Sequence, residues 1–256
     1  MFFKKDQTIL EEKPFVFAID PIQNKKYCGF CFQNANVKEC PSCEQFYYCS
    51  RKCGHLDLIH KKECKAFRNC SERESIKYML RIDLLRLFLR LLLVVTEKDV
   101  NPTELARFKS LTDEYDNIVK DKERINQLNS ISANIGIIMG QEFLRQFSEK
   151  DLISYFGRML MHKIAIKSGE ISIGIGIYFN ARKFQHSCEA NSTMYFSGSR
   201  LLIKANRLIT QDESPTISLC ESSLSDSERR IFLKKSFYFD CNCSKCSGTQ
   251  AIKAVM

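Results

Sequence analysis

The apolar positions change period along the chain, and each change marks an element. Residues 8–19 (TILEEKPFVFAI) are rich in β-formers with Pro14 near the middle, which predicts a short strand, a break and a second strand. Between 71 and 95 the period is helical, with apolar residues at Ile76, Met79, Leu80, Leu84, Leu87, Phe88 and Leu91. Arg81, Asp83, Arg86 and Arg90 interrupt it, and the longest pure apolar run is Leu91–Val95. A membrane span needs roughly 20 mostly apolar residues, so the segment reads as a buried helix and no membrane partner is expected. Residues 103–128 and 141–163 also read as helices, with Thr103 and Ser148 as N-caps. From 169 to 220 the pattern is that of strands: Gly174 and Gly176 interrupt an Ile-rich run, and Leu201–Ile203 and Thr216–Leu219 follow. Residues 226–236 (DSERRIFLKKS) suit a short helix.

The 256 residues are enough for one or two domains with a core. Lys4, Lys5 and Asp6 follow Met1–Phe3 at once, so no secretory signal is read. Thirteen cysteines without an export signal predict reduced thiols and an intracellular setting, nucleus or cytoplasm. There, clustered cysteines bind metal more often than they form disulfides. Eight candidate ligands are spaced C-x2-C-x8-C-x2-C-x5-C-x3-C-x6-H-x3-C: Cys28, Cys31, Cys40, Cys43, Cys49, Cys53, His60 and Cys64. Zinc takes four such ligands in a tetrahedron, so eight make two sites. Each C-x2-C turn puts two sulfurs on one ion. Cys49 with Cys53, and His60 with Cys64, are four apart and share one face of a helical turn. Neither helical pair closes a site alone, so each needs a C-x2-C knuckle. His55 is the rival histidine but lacks the one-turn spacing to Cys64, and Cys70 falls outside the pattern as a packed thiol.

At every ligand this spacing is similar to that of the MYND zinc finger. The resemblance implies an interleaved pairing, with Cys28, Cys31, Cys49 and Cys53 on one ion and Cys40, Cys43, His60 and Cys64 on the other. It also implies protein partners, often short proline-containing peptides. Arg51, Lys52, Lys61, Lys62, Lys65 and Arg68 against Asp57 and Glu63 form a basic face that suits an acidic partner or plain solvation. Groove reading needs a helix or ribbon with several base-reaching side chains; none is evident, so no sequence-specific DNA partner is expected.

In the second half, Gln185-His186-Ser187-Cys188-Glu189-Ala190-Asn191 resembles the N-H-S-C-x-P-N motif of SET-domain lysine methyltransferases. Gly174-Ile175-Gly176-Ile177-Tyr178 resembles the G-x-G-L-Y stretch before it, and Phe239–Cys246 resembles the post-SET F-x-C-x-C-x2-C. C-x-C-x2-C alone has three sulfurs. The resemblance supplies the fourth and implies a third zinc on Cys188, Cys241, Cys243 and Cys246. Eleven thiolates and three dications would bring the formal charge from +9 to +4, which weakens the basic signal.

From about Thr8 to Cys246 the chain resembles the SET and MYND domain-containing family of protein-lysine methyltransferases, as a divergent and shortened member. The fold this implies is α+β: a β-rich SET core with an inserted MYND module, a helical insert and a post-SET zinc site. The segments are N-terminal SET strands (1–27), MYND module (28–64), helical insert (65–165), SET core (166–225) and post-SET segment (226–250). The family's glycine-rich first strand has no counterpart before Thr8, and its C-terminal helical-repeat domain is absent, so a chain lacking its first strand is one reading.

The implied chemistry is methyl transfer from S-adenosylmethionine to a lysine amine, on a histone or another protein. The amine must be held neutral, aligned and dry. The family's two aligning tyrosines fall at Leu219 and Phe237, with Tyr238 adjacent. Of the implied cofactor contacts, His186 and Phe239 match, while two asparagines appear as Gln185 and His162. All twelve zinc-ligand positions are filled, whereas four of the tyrosine and asparagine positions are changed. The leading expectation is a zinc-dependent interaction scaffold with impaired catalysis; the alternative is an active methyltransferase.

Overall fold

The computed structural model describes residues 2–70, 83–97 and 100–247. In chain order the elements are β1 (Thr8–Glu12), β2 (Val16–Ile19), β3 (Lys38–Glu39), β4 (Tyr47–Tyr48), α1 (Arg51–Leu56), α2 (Leu58–Cys70) and α3 (Asp83–Val95). There follow α4 (Pro102–Lys109), α5 (Tyr115–Lys120), α6 (Lys122–Met139), α7 (Gln141–Leu144), α8 (Glu149–His162), β5 (Lys163–Ser168) and β6 (Ile171–Ile177). The last are β7 (Gln185–His186), β8 (Ser192–Ser197), β9 (Arg200–Ala205), β10 (Thr216–Ile217) and α9 (Asp226–Phe237). This is the expected α+β mixture. It divides into two compact units, one of residues up to Lys13, Asn180–Phe196 and from Arg200 on, the other of Pro14–Phe179 with Ser197–Ser199.

Both N-terminal strands form, but they do not pair with each other. β1 runs antiparallel to β9, with Glu12 opposite Leu201, and β2 runs antiparallel to β6, with Ala18 opposite Ile175. Pro14, which has no N–H to give a ladder, stands between them. In the first unit the sheet order is β1-β9-β8, and β7 pairs in parallel with β10. Helix α9 opens on a reciprocal cap in which Ser225 and Glu228 satisfy each other's backbone N–H. The expected strand Thr216–Leu219 is shorter, ending at Ile217.

In the second unit β6 is the centre of the sheet β2-β6-β5. A Cβ on Gly174 would stand 2.5 Å from the Ala18 carbonyl and from the Phe32 ring, so glycine is what lets these surfaces close. Helix α3 is buried on every side, from Leu85 through Val94, as the apolar run predicted; residues 71–82, with Ile76, Met79 and Leu80, lie outside the described residues. Among the described residues no helix is long and apolar enough to cross a membrane.

The helix expected over 103–128 is three pieces, α4, α5 and the start of α6. Its cap is Asn101, whose side chain accepts the Thr103 N–H (2.9 Å), with Pro102 in the first turn; Thr103 is therefore inside the helix. A tertiary contact interrupts it. The Asp113 carbonyl lies where a Cβ on Gly157 would be 1.9 Å away, and Arg158 binds the Leu111 carbonyl (3.1 Å) and the Asp113 carboxylate (3.1 Å). Glu114 then takes a left-handed φ of 53°, and Asp121 caps α6. The 141–163 segment breaks after α7 and restarts at Ser148, which caps α8 as expected.

Candidate metal centres

The two C-x2-C turns of the cysteine-rich module have one design. Phe32 N–H donates to the Cys28 carbonyl (2.9 Å) and Glu44 N–H to the Cys40 carbonyl (2.9 Å). Phe32 (φ 60°) and Glu44 (φ 57°) are both left-handed, which curls each pair of sulfurs to one side. Cys49 and Cys53 flank the start of α1, where the Ser50 hydroxyl accepts the Cys53 N–H (3.3 Å), and His60 and Cys64 lie one turn apart on α2. The donors gather as two interleaved quartets. In the first, Cys49 Sγ lies 3.7 Å from Cys31 Sγ and 3.6 Å from Cys53 Sγ, with Cys28 completing it. In the second, Cys40 and Cys64 sulfurs are 3.7 Å apart and His60 Nε2 is 3.6 Å from Cys43 Sγ. His60, not His55, is the histidine in the cluster.

A third quartet lies in the first unit. Cys188 Sγ is 3.9 Å from Cys241 Sγ and 3.6 Å from Cys246 Sγ, and the Cys188 N–H donates to Cys243 Sγ (3.5 Å). The donor chemistry fits zinc in all three. Burial pushes Cys31, Cys43 and Cys241 up. Burial also raises Cys40 and Cys243, but hydrogen bonds, from His60 at Cys40 and from the Cys188 and Cys246 amides at Cys243, outweigh it and bring each to about 6. A dication lets every thiol ionise at once. The described residues thus hold three zinc-type sites.

Around His60 lies a buried charge network that spacing did not reveal. Asp57, Glu63, Arg86 and Arg90 are all nearly inaccessible. Asp57 pairs with Arg90, accepts the His60 backbone N–H (3.1 Å) and accepts the Tyr48 hydroxyl (3.2 Å). Glu63 stands 3.7 Å from both His60 Nδ1 and Arg90 Nε. Arg86 lies over the Phe46 ring at 4.1 Å, and Phe46 packs on the His60 ring at 4.2 Å. A carboxylate behind a zinc histidine orients the ring. Here Arg90 from α3 is that carboxylate's charge partner.

The residues of the expected cofactor site divide between the units. Gln185 and His186 are β7, paired with Thr216 and Ile217, and Gln185 is exposed. The Leu219 N–H donates to His186 Nδ1 (3.1 Å), which leaves the ring proton on Nε2, 3.4 Å from Cys188 Sγ. Cys220 brings a third soft donor beside them, but a protonated Nε2 donates to the thiolate and cannot ligate a further ion. Burial lowers the His186 pKa. The Phe239 ring is 5.9 Å away. Leu219, Phe237 and Phe239 pack against the cluster of Leu233, Cys241 and Cys246. His162 belongs to the other unit, at the end of α8, with Nε2 3.3 Å from the Thr112 carbonyl oxygen. Asn191, the last residue of the motif, has a role its sequence match did not specify: its side chain accepts the Thr216 N–H (2.7 Å) and donates to the Ser214 carbonyl (3.1 Å), holding β10 in place.

Cys40→Ser removes one ligand of the second quartet. It is expected to unfold the module locally and to leave the Cys188, Cys241, Cys243, Cys246 site loaded. Elemental analysis decides: three zinc ions in the native chain, and retention of the last in the variant. One equivalent or none in the native chain, or total loss in the variant, contradicts the assignment.

Comparison with known proteins agrees with this geometry. The MYND finger family matches residues 28–64. Histone-lysine N-methyltransferase ASHR1 of Arabidopsis thaliana is 26% identical over 96% of this chain and 51% of its own length. Histone-lysine N-methyltransferase SMYD3 of Homo sapiens is 26% identical over 94% of this chain and 56% of its own. SET domain and MYND-type zinc finger protein 6 of Schizosaccharomyces pombe is 22% identical over 96% and 48%. The chain spans about half the length of the curated relatives it matches.

Proposed function

We propose that this chain, which belongs to the SET and MYND domain-containing family, is a zinc-dependent protein-interaction scaffold on a lysine methyltransferase fold with impaired catalysis. One observation carries the reading: Leu219 and Phe237, at the positions of the family's amine-aligning tyrosines, carry no hydroxyl and pack against Leu233, Cys241 and Cys246. S-adenosylmethionine, where bound, supplies the methyl group. This chain offers it the exposed Gln185 amide and the ring faces of His186 and Phe239, because both His186 nitrogens are engaged within the protein. That supports weak cofactor binding. MYND fingers are protein-interaction modules, and the partner proposed here is a proline-containing peptide. The setting proposed is the nucleus or cytoplasm.

Methyl transfer is expected to be undetectable or very slow in a radiolabelled S-adenosylmethionine assay on histones and a lysate. Loss of one positioned hydrogen-bond donor costs about 10² to 10³ in rate. Two such losses need not multiply, since the groups act as a unit. Leu219→Tyr with Phe237→Tyr repairs amine alignment and leaves cofactor contacts at Gln185 and His162 as they are, so rescue stays partial. The second reading, an active protein-lysine methyltransferase, is favoured by relatives named for that activity that match nearly the whole chain. Robust zinc-dependent labelling by the native chain would establish it and refute the scaffold.

A further inference from the structure

The short turn Ala181–Lys183 is fixed from below by Glu12. Its carboxylate accepts the N–H of Asn180 (2.9 and 3.0 Å) and of Ala181 (3.0 Å), which sets the backbone from which Arg182 extends. The Arg182 guanidinium then lies 4.4 Å above the centroid of the Phe237 ring. That is well inside the ~6 Å over which an aromatic face attracts a cation. The ring is itself held. Phe237 ends α9, Tyr238 follows in a left-handed turn (φ 59°) with its N–H on the Lys234 carbonyl (3.0 Å), and Phe232 packs edge-on at 6.1 Å.

We propose that the Arg182 guanidinium occupies, on the Phe237 ring, the seat that a substrate lysine amine would take, so that the chain fills its own amine site with a permanent cation. The inference rests on the reading of Phe237 as a family tyrosine position. Its chemistry is direct. A lysine arrives as an ammonium and would seek the same ring face. A guanidinium cannot replace it as methyl acceptor, because its lone pairs are delocalised and it keeps its proton. Burial pushes Arg182 down to about 10, which still leaves it charged at neutral pH.

The test uses the full chain and n-butylammonium, a lysine side-chain mimic, followed by NMR titration. Arg182→Ala is expected to bind it saturably, about tenfold tighter or more than the native chain, with neutral n-pentanol binding far less. Phe237→Leu added to Arg182→Ala should abolish the gain. Equal binding to native and variant, no binding by a zinc-loaded variant of native melting temperature, or equal binding of n-pentanol would each overturn the proposal. If Arg182→Ala does not fold, the native chain decides: the Arg182 side-chain protons should carry a ring-current shift that Phe237→Leu removes, and unshifted protons refute the contact. Robust methyl transfer by the native chain would sink both this inference and the scaffold reading. Failure of the amine titration would sink this inference alone.

Discussion

Stripping the zinc is expected to unfold residues 28–64 at neutral pH and room temperature. The module's own regular structure is slight. Its strands β3 and β4 are two residues each and α1 is six, too short to stand by local hydrogen bonding. Structural zinc sites contribute on the order of 10 to 16 kcal/mol in small modules. Phe46, 4.2 Å from the ring of the ligand His60, and Phe32, at the turn of the first knuckle, are buried where the ligands are gathered. Chelator titration followed by circular dichroism and a zinc indicator is the check. Release of MYND zinc with the module's ellipticity and proteolytic resistance intact would show that zinc is not its folding energy.

Arg90→Leu should be the most damaging single change away from the metal ligands. It removes the cation between Asp57 and Glu63 and leaves both carboxylates buried. Breaking such a pair from one side costs about 3 to 5 kcal/mol, because the remaining charge has no compensation. Burial alone would raise the Glu63 pKa, but Arg90, His60 and Arg86 outweigh it and hold the carboxyl below the usual range. Its contribution is therefore in place at neutral pH and is lost only as pH falls through that lowered value. Adding Glu63→Gln to Arg90→Leu should recover part of the loss, whereas Arg90→Lys keeps the charge without the planar fork and should fall between native and Leu. Urea denaturation midpoints of the four chains measure this. A midpoint for Arg90→Leu within experimental error of native would remove the network from any role in stability.

The sequence exposed what is written locally and concealed what depends on distant neighbours. Zinc ligands are legible because a tetrahedral site fed by knuckles and helical turns needs fixed spacings, and Cys28 to Cys64 display them. Ser148 was legible as a cap because its partner is three residues on. Arg86 and Arg90 read as interruptions of an apolar stripe, since nothing in 83–95 announces that Asp57 and Glu63 lie opposite. The helix over 103–128 failed for the same reason: Gly157, more than 40 residues away, decides where it stops. Arg182 and Phe237 are separated by more than 50 residues, and only the fold makes them neighbours.

The pairing of β1 with β9 has a consequence for how the chain is made. Thr8–Glu12 leaves the ribosome well before its hydrogen-bonding partner Arg200–Ala205, which is translated about 190 residues later. At the usual 5–20 residues per second, that is a wait of roughly 10 to 40 s. The cysteine-rich module between them is complete long before, so it can capture zinc while β1 still has no partner. Assembly of the first unit is thus deferred until Arg200–Ala205 has been made, and before that point metal supply governs whether the cysteine-rich module can fold.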